Sequence, residues 1–399
     1  MKFIINIILL VLLGVTTVQA QTLDEYFEIA AENNPGLQSK YKEFEAALQK
    51  VHQVNSLPDP TFSFSYFIPK MHSQSAAFSL TQMFPWFGTL KAQGNAVALM
   101  AESQYQSFLD AQNQLYYEVS AAYYPMYELK RLKRIEQKNI DILESYKSIA
   151  NSKFKNGLAP MVDVLRVDIM LKDAVTNLSI LEKKERPLMA TFNKLLNRGV
   201  AEEVTIDSAL ITENLQENVL RDSLVINNPL LHALDLKIEA SEASEVAAQK
   251  DGLPKLGVGL DYAIMENGKN ILMPMVSVSI PIFRKKYKAA QKEAQLMQES
   301  YALQKSETTN LLISNYEMTW FEVEQQRELI NLYDQQTKET NQSLNLLFSA
   351  YSNSGNAFEE VLRMQQQLLK YEKMKATAEV EYHIALAKLN YITAKHISK

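Results

Sequence analysis

The chain of 399 residues contains no cysteine. Disulfides and thiolate metal sites are thereby excluded, and so is a lipid-anchored N-terminus, which needs a cysteine at its processing site. Charge of one sign is also scarce: 41 basic against 46 acidic residues leave a net charge of −5, with no basic footprint for nucleic acid. Long apolar runs are missing too. After the first twenty residues no eighteen consecutive apolar positions occur, so membrane contact of the mature chain must come from something other than a spanning helix. Glycine (11) and proline (12) are rare and clustered. Between Pro281 and Gly355 lie 73 residues with neither, and between Gly94 and Gly157 lie 62 interrupted only by Pro125. Segments so poor in helix breakers, and rich in Ala, Gln, Glu, Lys and Leu, read as very long helices.

Those helices need partners along their length. Tyr316, Val323 and Ile330 are spaced by seven, Leu344 follows two heptads later, and Trp320, Tyr333 and Leu347 mark the adjacent stripe, which is a coiled-coil pattern. An ordinary helical bundle explains the heptads but not the length. Pro125 is expected to kink its helix, because its nitrogen cannot donate to the preceding turn.

Four short segments keep a different period. Pro60–Ile68, Phe78–Phe84, Pro254–Tyr262 and Met275–Ile280 keep period 2 over most of their length, apolar residues alternating with small or polar ones. One face would carry Phe62, Phe64, Tyr66, Phe78, Leu80, Leu256, Val258, Val276 and Val278. The other would carry Ser63, Ser65, Ser79, Thr81, Gly257, Gly259, Asp261, Ser277 and Ser279. Each pair of segments reads as a hairpin, with polar turns at Pro69–Ser75 and Met265–Asn270. The second pair echoes the first at an offset of 194 residues, shared by Pro60 and Pro254 and by the two "NNP" triplets at 33–35 and 227–229. The chain therefore divides into an N-terminal segment 1–20, a first repeat 21–205 and a second repeat 206–399.

Lys2, the apolar run Phe3–Val15 and the small residues Val18 and Ala20 have the layout of a secretory signal peptide; the run is shorter than the roughly 20 residues a membrane span needs. In an exported protein, strands with one apolar and one hydroxyl-rich face match the wall of a transmembrane barrel, the alternative being a sheet packed on a core. Trp86, Phe87 and Phe283 follow the strands directly and suit an interfacial aromatic girdle. Four strands cannot close a barrel, the smallest having about eight, so the barrel is expected to be shared between chains.

"NNPGL" and "NNPLL", the two hairpins, "FPWFGTLKAQG" and "IPIFRKKYKAAQ", and "FKNGLAPMVDVLR" with "YSNSGNAFEEVLR" together resemble the outer-membrane efflux protein family, the TolC-like channels. "FPWFG" is more similar to the heavy-metal-efflux branch. The resemblance implies a mainly α fold with a small transmembrane β part: long antiparallel coiled-coil helices forming an α-barrel, and two hairpins per chain contributing to a trimeric 12-stranded β-barrel. It implies a homotrimer in the outer membrane of a Gram-negative bacterium with a periplasmic helical extension. The partners would be a periplasmic adaptor and an inner-membrane pump, and the chain would be a passive exit duct rather than an enzyme. The competing reading is an exported coiled-coil structural or adhesive protein without a pore.

No enzyme motif or cofactor cradle is found. The five histidines (His52, His72, His232, His383 and His396) are never spaced to put two imidazoles on one helical face, so no metal site is expected. "DVLR" (Asp163–Arg166) and "EVLR" (Glu360–Arg363) each place an acid and an arginine three apart, just past a glycine turn. Exposed i,i+3 pairs of this kind contribute a few tenths of a kcal/mol at most. The resemblance instead puts Asp163, Arg166, Glu360 and Arg363 at a periplasmic gate. It puts Asn156, Gly157, Leu158, Ala159, Pro160, Ser354, Gly355 and Asn356 at adaptor-docking tips.

Overall fold

The computed structural model describes residues 22–71, 74–206, 210, 224–266, 268–354 and 358–395. The segment 1–20, His72, Asn267, Gly355, Asn356 and His396 lie outside the described residues. Among the described residues seven helices and four strands carry the fold: α1 (Leu23–Asn33), α2 (Pro35–Asn55), β1 (Thr61–Met71), β2 (Gln74–Phe84), α3 (Thr89–Lys155), α4 (Met161–Leu195), α5 (Pro229–Asp251), β3 (Lys255–Met265), β4 (Ile271–Ser279), α6 (Lys285–Ser354) and α7 (Phe358–Ile392). The order helix, hairpin, long helix, helix thus occurs twice. Both "NNP" triplets work as boundaries: Pro35 opens α2 and Pro229 opens α5, where the Asn228 side chain accepts a hydrogen bond from the Leu230 N–H at 3.0 Å. Proline suits that position because the first helical N–H has no intrahelical acceptor.

The breaker-free stretches are continuous helices of 67 residues (α3) and 70 residues (α6). Pro125 lies inside α3, and Pro187 inside α4, without ending either.

The chain folds into two compact units, and each takes pieces from both repeats. The first comprises α1, α4, α7 and the later parts of α3 and α6. Tyr26, Tyr123 and Phe192 are fully buried at one place in it, with Tyr26 and Phe192 edge to face at 5.0 Å. The Tyr26 hydroxyl accepts from the Thr205 N–H at 2.9 Å. Elsewhere in this unit Leu143, Tyr146, Ala150, Val167, Leu344, Tyr351, Phe358 and Val361 form a second cluster. The heptad residues Tyr316, Val323, Tyr333 and Leu344 are all buried, so the seam read from sequence is the core-facing side of α6. Ion pairs fasten α3 to its neighbours: Lys133 to Glu185 on α4, and Arg131 to Glu379 and Lys373 to the fully buried Glu136 on α7 and α3.

The second unit holds α2, α5, the sheet and the early parts of α3 and α6. Alanines at 92, 96, 240, 247 and 294 are buried where its helices meet, and Tyr41, Phe44, Tyr105 and Phe108 pack as rings of α2 on rings of α3. The sheet is antiparallel in the order β1-β2-β3-β4, so the two hairpins are joined through β2 and β3. All four strands extend beyond the segments of clean alternation, β1 reaching Met71 and β2 starting at Gln74. The outermost strands contain Pro69 and Pro274, and the inner two have none, as expected where a proline can be spared a ladder hydrogen bond.

Register puts Phe62 opposite Leu80, Phe64 opposite Phe78, Leu80 opposite Leu260, and Leu256 and Val258 opposite Val278 and Val276. These side chains share one face, and Gly257, Gly259, Asp261, Ser79, Thr81 and Ser277 share the other. Gly257 and Gly259 answer to different constraints. A Cβ at Gly257 would lie 2.3 Å from Ser277 Oγ and 2.6 Å from Met83 Sδ, whereas at Gly259 it would lie 2.9 Å from the Leu80 carbonyl oxygen. Side chains can turn away, but a paired backbone carbonyl cannot. Gly259→Ala is expected to destabilise the protein by about 1–3 kcal/mol and Gly257→Ala by less than about 1 kcal/mol. Equilibrium unfolding of the two variants checks this, and equal losses would refute it.

Candidate functional site: an amphipathic open sheet and a helical tip

Two places concentrate unusual physical chemistry. The first is the sheet. Every apolar position assigned to one face, apart from the half-buried Phe78, is exposed: Phe62 is 65% accessible, Phe64 57% and Val276 76%. Tyr66, Leu80, Leu256, Val258 and Val278 are exposed beside them. The ring of Phe78 packs on Phe64 at 5.0 Å and on Phe62 at 6.1 Å, which joins the aromatic residues into one surface across the β1–β2 hairpin. Within the four-stranded sheet β1 and β4 each pair on one side only. An apolar face of this size marks a surface that meets another protein or a membrane.

The second is the connection between α3 and α4, with the start of α7 beside it. Gly157 has φ +70°, its N–H donates to the Phe154 carbonyl, and the Leu158 N–H donates to the Lys153 carbonyl. This pair of bonds is the closing motif in which a left-handed residue just past the helix satisfies the last carbonyls, and glycine takes that conformation without Cβ strain. Asn156, Gly157, Leu158 and Pro160 are exposed and Ala159 is half-buried; Pro160 is the N-cap of α4. Ser354 is the last residue of α6.

Below this turn the charged side chains sort unequally. Asp163 is buried, its carboxylate 3.8 Å from Arg166, and Arg166 crosses to Glu359 on α7 at 3.1 Å. Glu360 pairs with Arg363 within α7; Arg363 is exposed and Glu360 half-buried. The four residues singled out in the sequence thus do not make one cluster: Arg166 bridges two helices through Glu359, and the Glu360–Arg363 pair stays on its own helix. Lys153 was not anticipated. Its ammonium donates to the Tyr351 and Ser352 carbonyls at the end of α6, at 2.9 and 3.2 Å, and lies 4.8 Å from the centre of the Tyr351 ring. A cation at exposed carbonyls of a helix C-terminus is favoured by the helix dipole. Tyr351 in turn stacks on Phe358 at 4.4 Å.

The carboxylates here titrate in opposite directions. Burial raises the Asp163 carboxyl above its ordinary value, opposed by Arg166 and helped by Glu359. Hydrogen bonds from Lys147 and Lys172 lower Asp168 to about 2. Among the described residues no group of three or more His, Asp or Glu side chains is placed to hold a metal. Buried His383 lies 5.2 Å from the ring of Tyr124, and exposed His232 hydrogen-bonds the Ile226 carbonyl.

With this geometry in view the relatives are informative. Residues 220–395 match the model of the outer membrane efflux protein family. None of the curated proteins matches the chain. Among solved structures, the outer-membrane channel OprN is similar over 93% of this chain and 89% of its own, at 16% identity and a TM-score of 0.79. The outer membrane protein VceC of Vibrio cholerae is similar over 93% and 95%, at 12% identity and 0.76. CusC, a protein with a transmembrane channel, is similar over 94% and 95%, at 12% identity and 0.77. The fold is that of these channels, mainly helical with a small sheet of two hairpins.

Because a folded-state pKa above the unfolded value favours the protonated form, the contribution of Asp163 is fully present below the ordinary carboxylate value of 3.8 and is lost as pH rises through its raised value. Asp168 behaves oppositely: its contribution is present above 3.8 and is lost as pH falls towards about 2. Asp163→Asn should therefore unfold at the same or higher temperature than the parent at pH 7, and Asp168→Asn at a lower one. Melting curves at pH 7 and pH 3 test the pair, and a loss of stability at pH 7 in both variants would contradict the assignment.

Proposed function

We propose that this chain is the outer-membrane exit duct of a tripartite efflux system and a member of the efflux protein family along its whole length. The observation that carries the proposal is the sheet: an apolar face open to the surroundings, a small polar face behind it, and two outer strands with one free side each. In a bilayer the apolar face contacts acyl chains and the polar face lines water. Backbone groups on a free edge have no water to bond in hydrocarbon, so the sheet must close. Three copies of the four-stranded sheet give a 12-stranded barrel, above the minimum of about eight strands. No helix among the described residues is long and apolar enough to cross a membrane.

A homotrimer is supported by a second stripe on α6. Leu311, Met318, Leu332 and Leu346 are exposed and differ by multiples of seven, as do the positions of the buried seam. Val162, Leu165 and Ile169 form a similar exposed stripe on α4. Helices with two apolar seams are built to have neighbours on both sides. The helices then extend into the periplasm. The tip residues Asn156–Pro160, with Ser354, Gly355 and Asn356, dock the periplasmic adaptor, which joins the duct to an inner-membrane pump. The duct itself is passive, and "FPWFG" (Phe84–Gly88) supports the heavy-metal-efflux branch.

Lysine at Phe64 is expected to cost roughly 2–4 kcal/mol near the bilayer midplane and to abolish membrane-extractable trimer, whereas lysine at Ser65 should be tolerated. Heat-modifiable migration of the extracted protein measures both, and equal loss from both faces would exclude a barrel wall. For the gate, Asp163, Arg166, Glu360 and Arg363 are proposed to hold the closed state, with the bridge from Arg166 to Glu359 contributing more than the Glu360–Arg363 pair. Arg166→Glu should then raise conductance in planar bilayers more than Arg363→Glu. Unchanged conductance in both, with the trimer inserted, would place the gate elsewhere.

A further inference from the structure

The sheet ends in two connections of similar composition. Phe84 of β2 pairs with Leu256, which pairs with Val278 of β4, so the strand ends leading to α3 and α6 lie at the same end of the sheet. From there the chain runs through Trp86 and Phe87 into α3, and through Ile282 and Phe283 into α6. Phe87 is 79% accessible and Phe283 86%, the most exposed phenylalanines among the described residues. Immediately beyond them stand Lys91 on one side and Arg284, Lys285, Lys286 and Lys288 on the other, all exposed. Among the described residues none of these five has a carboxylate within 4 Å. Both connections are held by side-chain contacts with the end of α5. The Lys250 ammonium lies 2.8 Å from where a Cβ on Gly88 would be, and the Tyr287 side chain lies against Gly252.

Among the described residues Lys286 lies 4.7 Å from the centre of the Tyr287 ring, but no carboxylate within 4 Å balances this concentration. The molecule carries a net charge of −5, yet Arg284 and, in the first turn of α6, Lys285, Lys286 and Lys288 make four cations with no acid among them, the reverse of what the helix dipole favours. The repulsion among them calls for an external anion. Exposed aromatic side chains next to long cationic ones, at the edge of an apolar face, match a membrane boundary where rings sit at headgroup depth and amines reach phosphate.

We propose that these two connections form a binding surface for anionic phospholipid, with Phe87, Ile282 and Phe283 among the glycerol and upper acyl groups and Arg284, Lys285, Lys286 and Lys288 on headgroup phosphates. A zwitterionic headgroup brings its own ammonium and so neutralises less of this charge; a lipid of net charge −1 is the complementary partner. The apolar part of the surface continues the exposed face of the sheet. The inference rests on the membrane insertion proposed above and adds a lipid preference to it.

The chain has two tryptophans, and Trp86 lies in this surface. In the full-length Trp320→Phe protein, reconstituted in phosphatidylethanolamine vesicles with brominated phosphatidylglycerol or brominated phosphatidylcholine, quenching of Trp86 reports the neighbouring lipid. Both should quench, with an apparent preference for phosphatidylglycerol of about fivefold or more, each cation near the surface being capable of roughly that factor. The preference should fall towards unity in about 1 M salt, where the Debye length is ~3 Å. It should fall likewise when Arg284, Lys285, Lys286 and Lys288 are all changed to Gln, with quenching by phosphatidylcholine retained as the sign of insertion. Equal quenching by the two lipids at low salt, or a preference insensitive both to salt and to the four substitutions, would overturn the inference. Quenching by neither lipid would overturn the membrane reading and this inference with it.

Discussion

Everything in this molecule has to accommodate a four-stranded sheet that is incomplete. Backbone N–H and C=O groups require partners, and an apolar environment enforces the requirement, since an unpaired group there loses its hydrogen bonds to water without compensation. The β1-β2-β3-β4 order satisfies the interior of the sheet and leaves the outer sides of β1 and β4 for something else. Placing the two hairpins side by side already halves the number of edges that two separate hairpins would expose. The proposed closure by further copies would remove the rest, because a barrel has no edge. On the proposed reading the oligomer would be a consequence of hydrogen-bond accounting rather than an addition to a finished fold.

The helices obey a complementary economy. A continuous helix satisfies its backbone internally, so its length is limited only by breakers and by the partners its apolar stripes can find. With breakers absent over α3 and α6, the chain reverses only where the sequence permits, and Gly157 shows how: a left-handed residue returns two N–H groups to carbonyls that the helix end would leave open. Pro125 shows the converse. One lost donor is a local defect, and the packing of Tyr123, Met126 and Tyr127 on either side of it holds the helix together.

Much of this was legible in the amino-acid sequence, for reasons that particular residues make clear. Alternation in "FSFSYF" has period 2 whatever the sheet packs against, so the faces of Phe64 and Ser65 followed from spacing alone, and the structure keeps them opposed. Strand ends were less readable: around Pro69–Met71 and Gln74–Ala77 the alternation is lost, and pairing between the strands extends them regardless. The heptads of α6 gave its buried seam, but the second, exposed stripe at Leu311 and Met318 was not singled out because a single helix does not announce how many neighbours it has. The pairing of Arg166 failed to appear for a geometric reason. Glu359 and Glu360 are adjacent in sequence and about 100° apart around the helix, so which of them reaches Arg166 is decided by the rotation of α7 against α4. No local pattern encodes that rotation. The role of Lys153 was hidden similarly, since its acceptors at Tyr351 and Ser352 are nearly two hundred residues away.

The two faces of the sheet differ in bulk as well as polarity, and the difference favours closure in one direction. Phenylalanine, leucine and valine on the apolar face occupy far more volume than serine, threonine and glycine on the other. A sheet so loaded relaxes by curling towards the small side, where side chains converge, and away from the large side, where they diverge. On their face Gly257 and Gly259 add no side chain, and Met83 and Met275, their cross-strand partners, lie across the space this leaves. In the proposed barrel a polar lumen and an apolar exterior would therefore come from one distribution of side-chain sizes. In that barrel the residues that suit the outside to lipid would also let the sheet curl and close, and exchanging the faces would reverse the curvature together with the polarity.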